Sequence, residues 1–175
     1  MFVKVILIID KRREQPVKYK KILENEDITV IISSDLSETF EILNKFEPDT
    51  VLISDSNEFD IKKAIEQIRI LTYNTRPEII ALSKSNNIQD KINILDAGAD
   101  DFISEPVNSE EFKARVNAHL RRNFENCFSD KTLMCNAKIS YKMIKRTINS
   151  EKTGAAFFIL SRLLGSALRM YLVVF

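Results

Sequence analysis

Short runs of β-branched and aliphatic residues, each followed by a stretch of helical periodicity, recur five times in the first 124 residues. They are residues 3–9 (VKVILII), 27–33 (DITVIIS), 50–54 (TVLIS), 78–82 (EIIAL) and the shorter 101–104 (DFIS). Continuous apolar runs of this kind suit strands of a parallel sheet that is covered on both faces. The intervening segments carry helical faces. Phe40, Leu43 and Phe46 follow a cap at Asp35 or Ser37, and Ile61, Ala64, Ile65 and Ile68 line the next helix. Ile88, Ile92 and Leu95 then lead to Gly98 as a helix stop. Ser109 starts the last helix, with Glu110 and Glu111 in its first turn and Phe112, Val116 and Leu120 on its buried face. The first helix must accommodate Pro16 in its first turn. Strict alternation of five strands with five helices predicts an α/β fold, a doubly wound five-stranded parallel sheet. Its functional residues belong on the loops after Ile9, Ile53, Leu82 and Ser104, at the carboxyl ends of the strands.

Composition narrows the function classes. A net charge of +1 gives no global attraction for nucleic acid or acidic partners. Cys127 and Cys135 stand apart from the lone His119 without zinc-ligand spacing, so two reduced thiols and a surface histidine are expected. The apolar opening MFVKVILIID is too short to span a membrane and has no cleavage site, so it is assigned to a buried strand of a cytoplasmic protein.

Residues 79–122 carry a more specific signal. Ser83 ends a strand, Ala97-Gly98-Ala99-Asp100-Asp101 closes a helix, and a short strand runs into Glu105-Pro106. This succession resembles the second half of a response-regulator receiver domain, where a Ser or Thr, an A-G-A-D-D turn and a Lys-Pro occupy the same places. The resemblance implies a flavodoxin-like receiver over residues 1–124. It also implies a site in which two acids after the first strand and an acceptor Asp after the third hold Mg²⁺, while the hydroxyl and the Lys bind phosphoryl oxygens.

Against that pattern the chemistry is altered. Asp10 matches the first acid, and Lys11 reverses the charge of the second. Pro48-Asp49-Thr50-Val51-Leu52-Ile53-Ser54 aligns with P-D-x-V-L-L-D and sets Ser54 on the acceptor position, one residue before Asp55. A shift of one residue turns a side chain to the opposite face, so Asp55 is expected to serve as the alternative acceptor only if the strand end bulges. Ser83 keeps the hydroxyl, and Glu105 replaces the Lys. A lysine about 4 Å from a divalent ion opposes it by several kcal/mol (roughly 4 per unit charge at an effective dielectric near 20). The degenerate pocket of Asp10, Lys11, Ser83 and Glu105 is therefore expected to bind no cofactor, with Mg²⁺ disfavoured and Asp10 the one surviving metal ligand. Lys11 and Glu105 fit either an ion pair that replaces the metal and phosphate network or independent drift to solvent. Phe102 matches the aromatic residue that moves with the hydroxyl in working receivers.

Relatives of this kind dimerise through the fourth helix, fifth strand and fifth helix. Lys91, Asp100, Asp101, Glu111, Arg115, Arg121 and Arg122 match that face, which makes a homodimer or other protein contact the expected partner interaction. Residues 125–136 are expected to be a linker and 137–175 an incomplete output domain. The latter weakly resembles the opening of a diguanylate cyclase (GGDEF) domain through Thr132 and Asn136, but it has no G-G-D-E-F signature. The closing SRLLGSALRMYLVVF fits a truncated or frame-shifted remnant, or an amphipathic helix with Arg162, Ser166 and Arg169 on one face. The functional expectation is a non-enzymatic, two-component-type regulator with a degenerate phosphoacceptor site. The alternatives are a phosphorylatable regulator using Asp55 and the N-terminal part of a cyclase regulator.

Overall fold

The computed structural model describes residues 4–55, 60–73 and 75–129, with 123–129 as helical backbone. Ten elements alternate: β1 (Lys4–Ile9), α1 (Gln15–Leu23), β2 (Ile28–Ser33), α2 (Leu36–Phe46), β3 (Thr50–Ser54), α3 (Ile61–Leu71), β4 (Glu78–Ser83), α4 (Ile88–Asp96), β5 (Asp101–Ser104) and α5 (Ser109–Ser129). The strands pair in parallel in the order β2-β1-β3-β4-β5. This is the doubly wound sheet that the alternation predicts.

Each face of the sheet has its own core, because alternate strand residues point opposite ways. Leu7, Ile9, Val51, Ile53, Ile79 and Ala81 pack with Leu43, Ile65, Ile68 and Ile94 from α2, α3 and α4. Ile6, Ile8, Leu52, Ile80, Leu82 and Ile103 pack on the other side with Tyr19 and Leu23 of α1 and Phe112, Val116 and Leu120 of α5. Tyr19 and Phe112 join the two helices there, with ring centroids 4.4 Å apart.

The helix boundaries follow local chemistry. Asp35 caps α2 by accepting from the Ser37 amide at 3.3 Å, and Pro16 sits in the first turn of α1, where its missing N–H costs nothing. Ser109 is the first residue of α5, as expected, and Asn108 before it caps the helix by accepting from the Glu110 amide at 2.8 Å. On α4 the buried residue is Ile94, whereas Ile88, Ile92 and Leu95 face outward. The helical backbone of α5 also runs on to Ser129, into the segment expected to begin the linker at residue 125, since no Gly or Pro interrupts it.

The chain divides into two compact units, Met1–Lys131 and Thr132–Phe175. The expected output domain, the rest of the expected linker, Cys135 and the Arg-bearing closing stretch lie outside the described residues, as does the Cys127 side chain. Among the described residues no helix is long and apolar enough to cross a membrane.

Candidate functional site

The parallel register lines up the strand ends. Ile9 pairs with Ile53, Ser54 with Leu82, and Ser83 with Ser104, so Asp10, Asp55 and Glu105 each leave the sheet at its carboxyl edge. Alternation then sorts them. Asp10 and Ser54 follow Ile8 and Leu52 onto the side covered by α1 and α5, and Glu105 follows Ile103 to that side. Asp55 and Ser83 continue the opposite set, behind Ile53 and Ala81.

On the α1–α5 side a buried ionic clasp fills the pocket. Asp10 is 1% exposed and Glu105 8%. The Arg12 guanidinium spans them. Its Nε donates to both Asp10 oxygens at 2.9 and 3.0 Å, and Nη2 donates to Asp10 Oδ2 at 2.7 Å. Nη1 and Nη2 donate to the two Glu105 oxygens at 2.7 and 2.9 Å. The Arg12 amide adds a sixth tie, to Asp10 Oδ1 at 2.9 Å. Tyr19 completes the clasp by donating its hydroxyl to Glu105 Oε1 at 2.5 Å. A planar fork held between two carboxylates is an arrangement that Arg supports and Lys does not. The bonds to Asp10 and then Glu105 raise the Arg12 pKa against the cost of burial, so the cation is permanent. Burial first, then the bond to Glu105, raises the Tyr19 phenol, which stays protonated and donating.

Lys11 and Glu105 were expected either to pair with each other or to drift to solvent; Glu105 pairs with Arg12 instead. Lys11 is exposed, and its charge acts on Asp35 at the start of α2. Beyond the end of β1 at Ile9, the chain brings the Arg12 side chain back onto Asp10, to which its own amide is also tied. The three successive cations Lys11, Arg12 and Arg13 after Asp10 were the available signal.

The acceptor positions separate as well. Ser54 is fully buried, and its hydroxyl finds no hydrogen-bond partner in the structure. No base activates it. The strand end does not bulge, and Asp55 lies beside Ser83 on the face opposite Asp10. Pairing of β3 with β4 is regular through Ser54, and the Asp55 amide continues it by donating to the Leu82 carbonyl at 2.8 Å. The Ser83 hydroxyl donates to Asp55 Oδ2 at 3.0 Å and accepts from the Ser85 amide at 3.1 Å.

These residues do not fit a divalent metal. All four carboxylate oxygens of Asp10 and Glu105 already accept from Arg12. Among the described residues no group of three or more acidic, His or Cys side chains is arranged to hold an ion. The clasp forms the floor of an open cleft of about 570 Å³ lined by Arg12, Arg13, Glu14, Gln15, Lys84, Glu105 and Pro106.

The residues matched to a dimer face are engaged within the chain. Arg69 of α3 reaches the Gly98 and Pro77 carbonyls at 2.7 Å each and pairs with Asp100, which also accepts from the Ile79 amide at 2.7 Å. Asp100 is therefore a structural tie of the α4–β5 turn. Arg115 lies 3.0 Å from Glu111 and 3.6 Å from Asp101. The Lys91 ammonium stands 5.3 Å above the Phe102 ring, which packs partly buried against the α2–α4 core. Arg121 and Arg122 are exposed. His119 is buried rather than on the surface. Its Nδ1 lies 3.1 Å from Glu78 and its Nε2 3.3 Å from Asp101. The bond to Glu78 leads the rise of its pKa above 6.5.

Comparison with known proteins agrees with this architecture. Residues 6–117 match the model of the response regulator receiver domain. The chain is 35% identical over 122 residues to Response regulator GtcR of Aneurinibacillus migulanus, covering 70% of this chain and 50% of that protein. It is 30% identical over 118 residues to Transcriptional regulatory protein CpxR of Escherichia coli (strain K12), covering 67% and 50%. The chain thus spans about half the length of these curated relatives. Among solved structures, a two-component response regulator from Clostridium difficile superposes with a TM-score of 0.62 at 28% identity, covering 68% of this chain and 97% of that one.

Proposed function

The chain belongs to the response regulator receiver domain family, and we propose that it is a receiver whose phosphoryl site is closed by its own arginine and which regulates through protein contacts. The observation that carries this reading is the Arg12 guanidinium, bonded at once to Asp10 and Glu105. A family receiver needs free acidic oxygens for a metal at the end of β1 and a cation at the end of β5. Here the β1 acid is saturated, and the β5 position carries an acid that consumes a cation. Ser54, the acceptor by alignment, is buried with nothing to deprotonate it.

A second reading has its own support. Asp55 and Ser83 lie within hydrogen-bond distance on one face, a carboxylate beside a hydroxyl as in a phosphorylatable receiver. The family's other groups are not in their places: Asp10 is taken up by Arg12, and the β5 position is Glu105 rather than a cation. The first reading is therefore preferred. No enzymatic activity is assigned.

Beryllofluoride with Mg²⁺, followed by amide chemical shifts, distinguishes the two. The proposal expects the Asp55, Ser83 and Phe102 signals to stay in place. Movement of those signals that disappears in Asp55→Asn establishes the second reading.

A further inference from the structure

Away from the clasp, the opposite edge of the sheet holds a second ionic cluster. Glu78 opens β4 and Asp101 opens β5, so both carboxylates stand at the amino-terminal edge. Both point to the side covered by α5, following the alternation of Ile80 and Ile103. His119, midway along α5, is 7% exposed and lies between them. Its Nδ1 is 3.1 Å from Glu78 Oε2 and its Nε2 3.3 Å from Asp101 Oδ2. We propose that His119 is a proton-operated latch. The imidazolium ties the middle of α5 to β4 and β5 together, and loss of one proton releases Asp101 while keeping Glu78.

An ionised carboxylate only accepts, so the two contacts together require a proton on both ring nitrogens. A neutral imidazole has one N–H and one lone pair, and that lone pair would face a carboxylate oxygen. The surroundings select which contact breaks. The Glu78 contact is the shorter, and among the described residues its carboxylate has no other donor. Asp101 has two others: its Oδ1 accepts from the Phe102 amide at 2.8 Å, and Arg115 lies 3.6 Å from its Oδ2. The remaining charges stand further back. Arg115, one turn before the ring, is shared with Glu111 at 3.0 Å, and Arg122, one turn after it, is exposed. From β3 comes only the uncharged Thr50, the register partner of Glu78, and Lys4 of β1 is two strands away from Glu78. Two acids against the ring favour its charged form, so the latch is closed below about pH 6.5 and opens at higher pH. Phe112, Val116 and Leu120 keep α5 packed on the sheet, so opening loosens the helix around His119 without detaching it.

Long-range proton–nitrogen correlation spectra of the full chain, from about pH 5 to about pH 9, read both ring nitrogens of its single histidine. Both are protonated at the acid end. At the alkaline end the proton stays on Nδ1 and Nε2 is bare. Amide exchange, compared with His119→Gln at matched pH, reads the consequence: the amides of Val116 to Leu120 lose protection as the wild-type ring titrates, and the variant shows no such step. Asp101→Asn supplies a side-chain amide that donates to a bare Nε2, so it lowers the titration midpoint of the ring and keeps α5 protected throughout. An alkaline tautomer protonated on Nε2 overturns the proposal. So does a wild-type midpoint at or below the ordinary histidine value, or an Asp101→Asn protein that loses protection as the wild type does. None of these signals is read at Arg12 or Asp55, so the latch stands or falls separately from the phosphoryl question.

Discussion

At the scale of single residues, the site turns on which side of a strand each charge faces. Lys11 drew attention because it occupies a position where the family has an acid, yet it points to α2. Arg12, one residue later, closes the pocket. The run Lys11-Arg12-Arg13 signalled a cation after Asp10, but the chain leaves regular structure after Ile9, so which of the three reaches Glu105 was not legible. Removing Arg12 leaves two buried carboxylates facing each other. Arg12→Ala is expected to lose about 2–3 kcal/mol in urea denaturation, below the value for a fully enclosed pair because part of Arg12 meets solvent. His119 offers a second residue-scale test. Its folded pKa lies above the unfolded value, so its contribution is fully present below about pH 6.5 and is lost as the pH rises through the folded pKa. Glu78 and Asp101 flank the ring, and Arg115 shares Asp101, which limits the effect. Wild-type stability should fall from about pH 6 toward pH 9 relative to His119→Gln. An unchanged difference between the two proteins across that range would refute the assignment.

At the scale of elements, the sequence was most legible where burial is two-sided. The five strands were anticipated to within about a residue at each end. So were the buried faces Ile61, Ala64, Ile65, Ile68 and Phe112, Val116, Leu120, because their periods are unbroken. On α4 the apolar stripe and the buried residue do not coincide. Ile88, Ile92 and Leu95 form a helical stripe as regular as any in the chain, but α4 is short and buries only Ile94. Periodicity reports an apolar face, not which face meets the sheet. The turn after α4 is the most constrained connection. Gly98 has φ +110°, and a Cβ there would lie 3.1 Å from the Arg69 Cγ that buttresses the turn. Gly98→Ala should therefore destabilise the protein by about 1–3 kcal/mol, measured by chemical denaturation, through backbone strain and displacement of Arg69. An alanine variant as stable as the wild type would mean that the turn relaxes without cost.

At the scale of the whole molecule, a receiver scaffold carries the Asp10–Arg12–Glu105 clasp at its carboxyl edge. Alternation of strands and helices made the fold readable, and the A-G-A-D-D turn fixed the register. What could not be read was the internal use of charges assigned to a partner surface. Asp100 braces Arg69, and Asp101 is shared between Arg115 and His119. A homodimer through the α4–β5–α5 face remains a proposal, one in which Asp101 and Arg115 would have to exchange intramolecular bonds for intermolecular ones. Exposed pairs of this kind are worth about 0–1 kcal/mol, so such a dimer would need the outward-facing Ile88, Ile92 and Leu95 of α4. On the function proposed above, this pocket takes up no phosphoryl group because Arg12 occupies it. Intact-mass measurement after incubation with acetyl phosphate and Mg²⁺ tests that most directly. The mass of the wild-type chain is expected to stay unchanged. A gain of one phosphoryl group that is abolished by Asp55→Asn would contradict it.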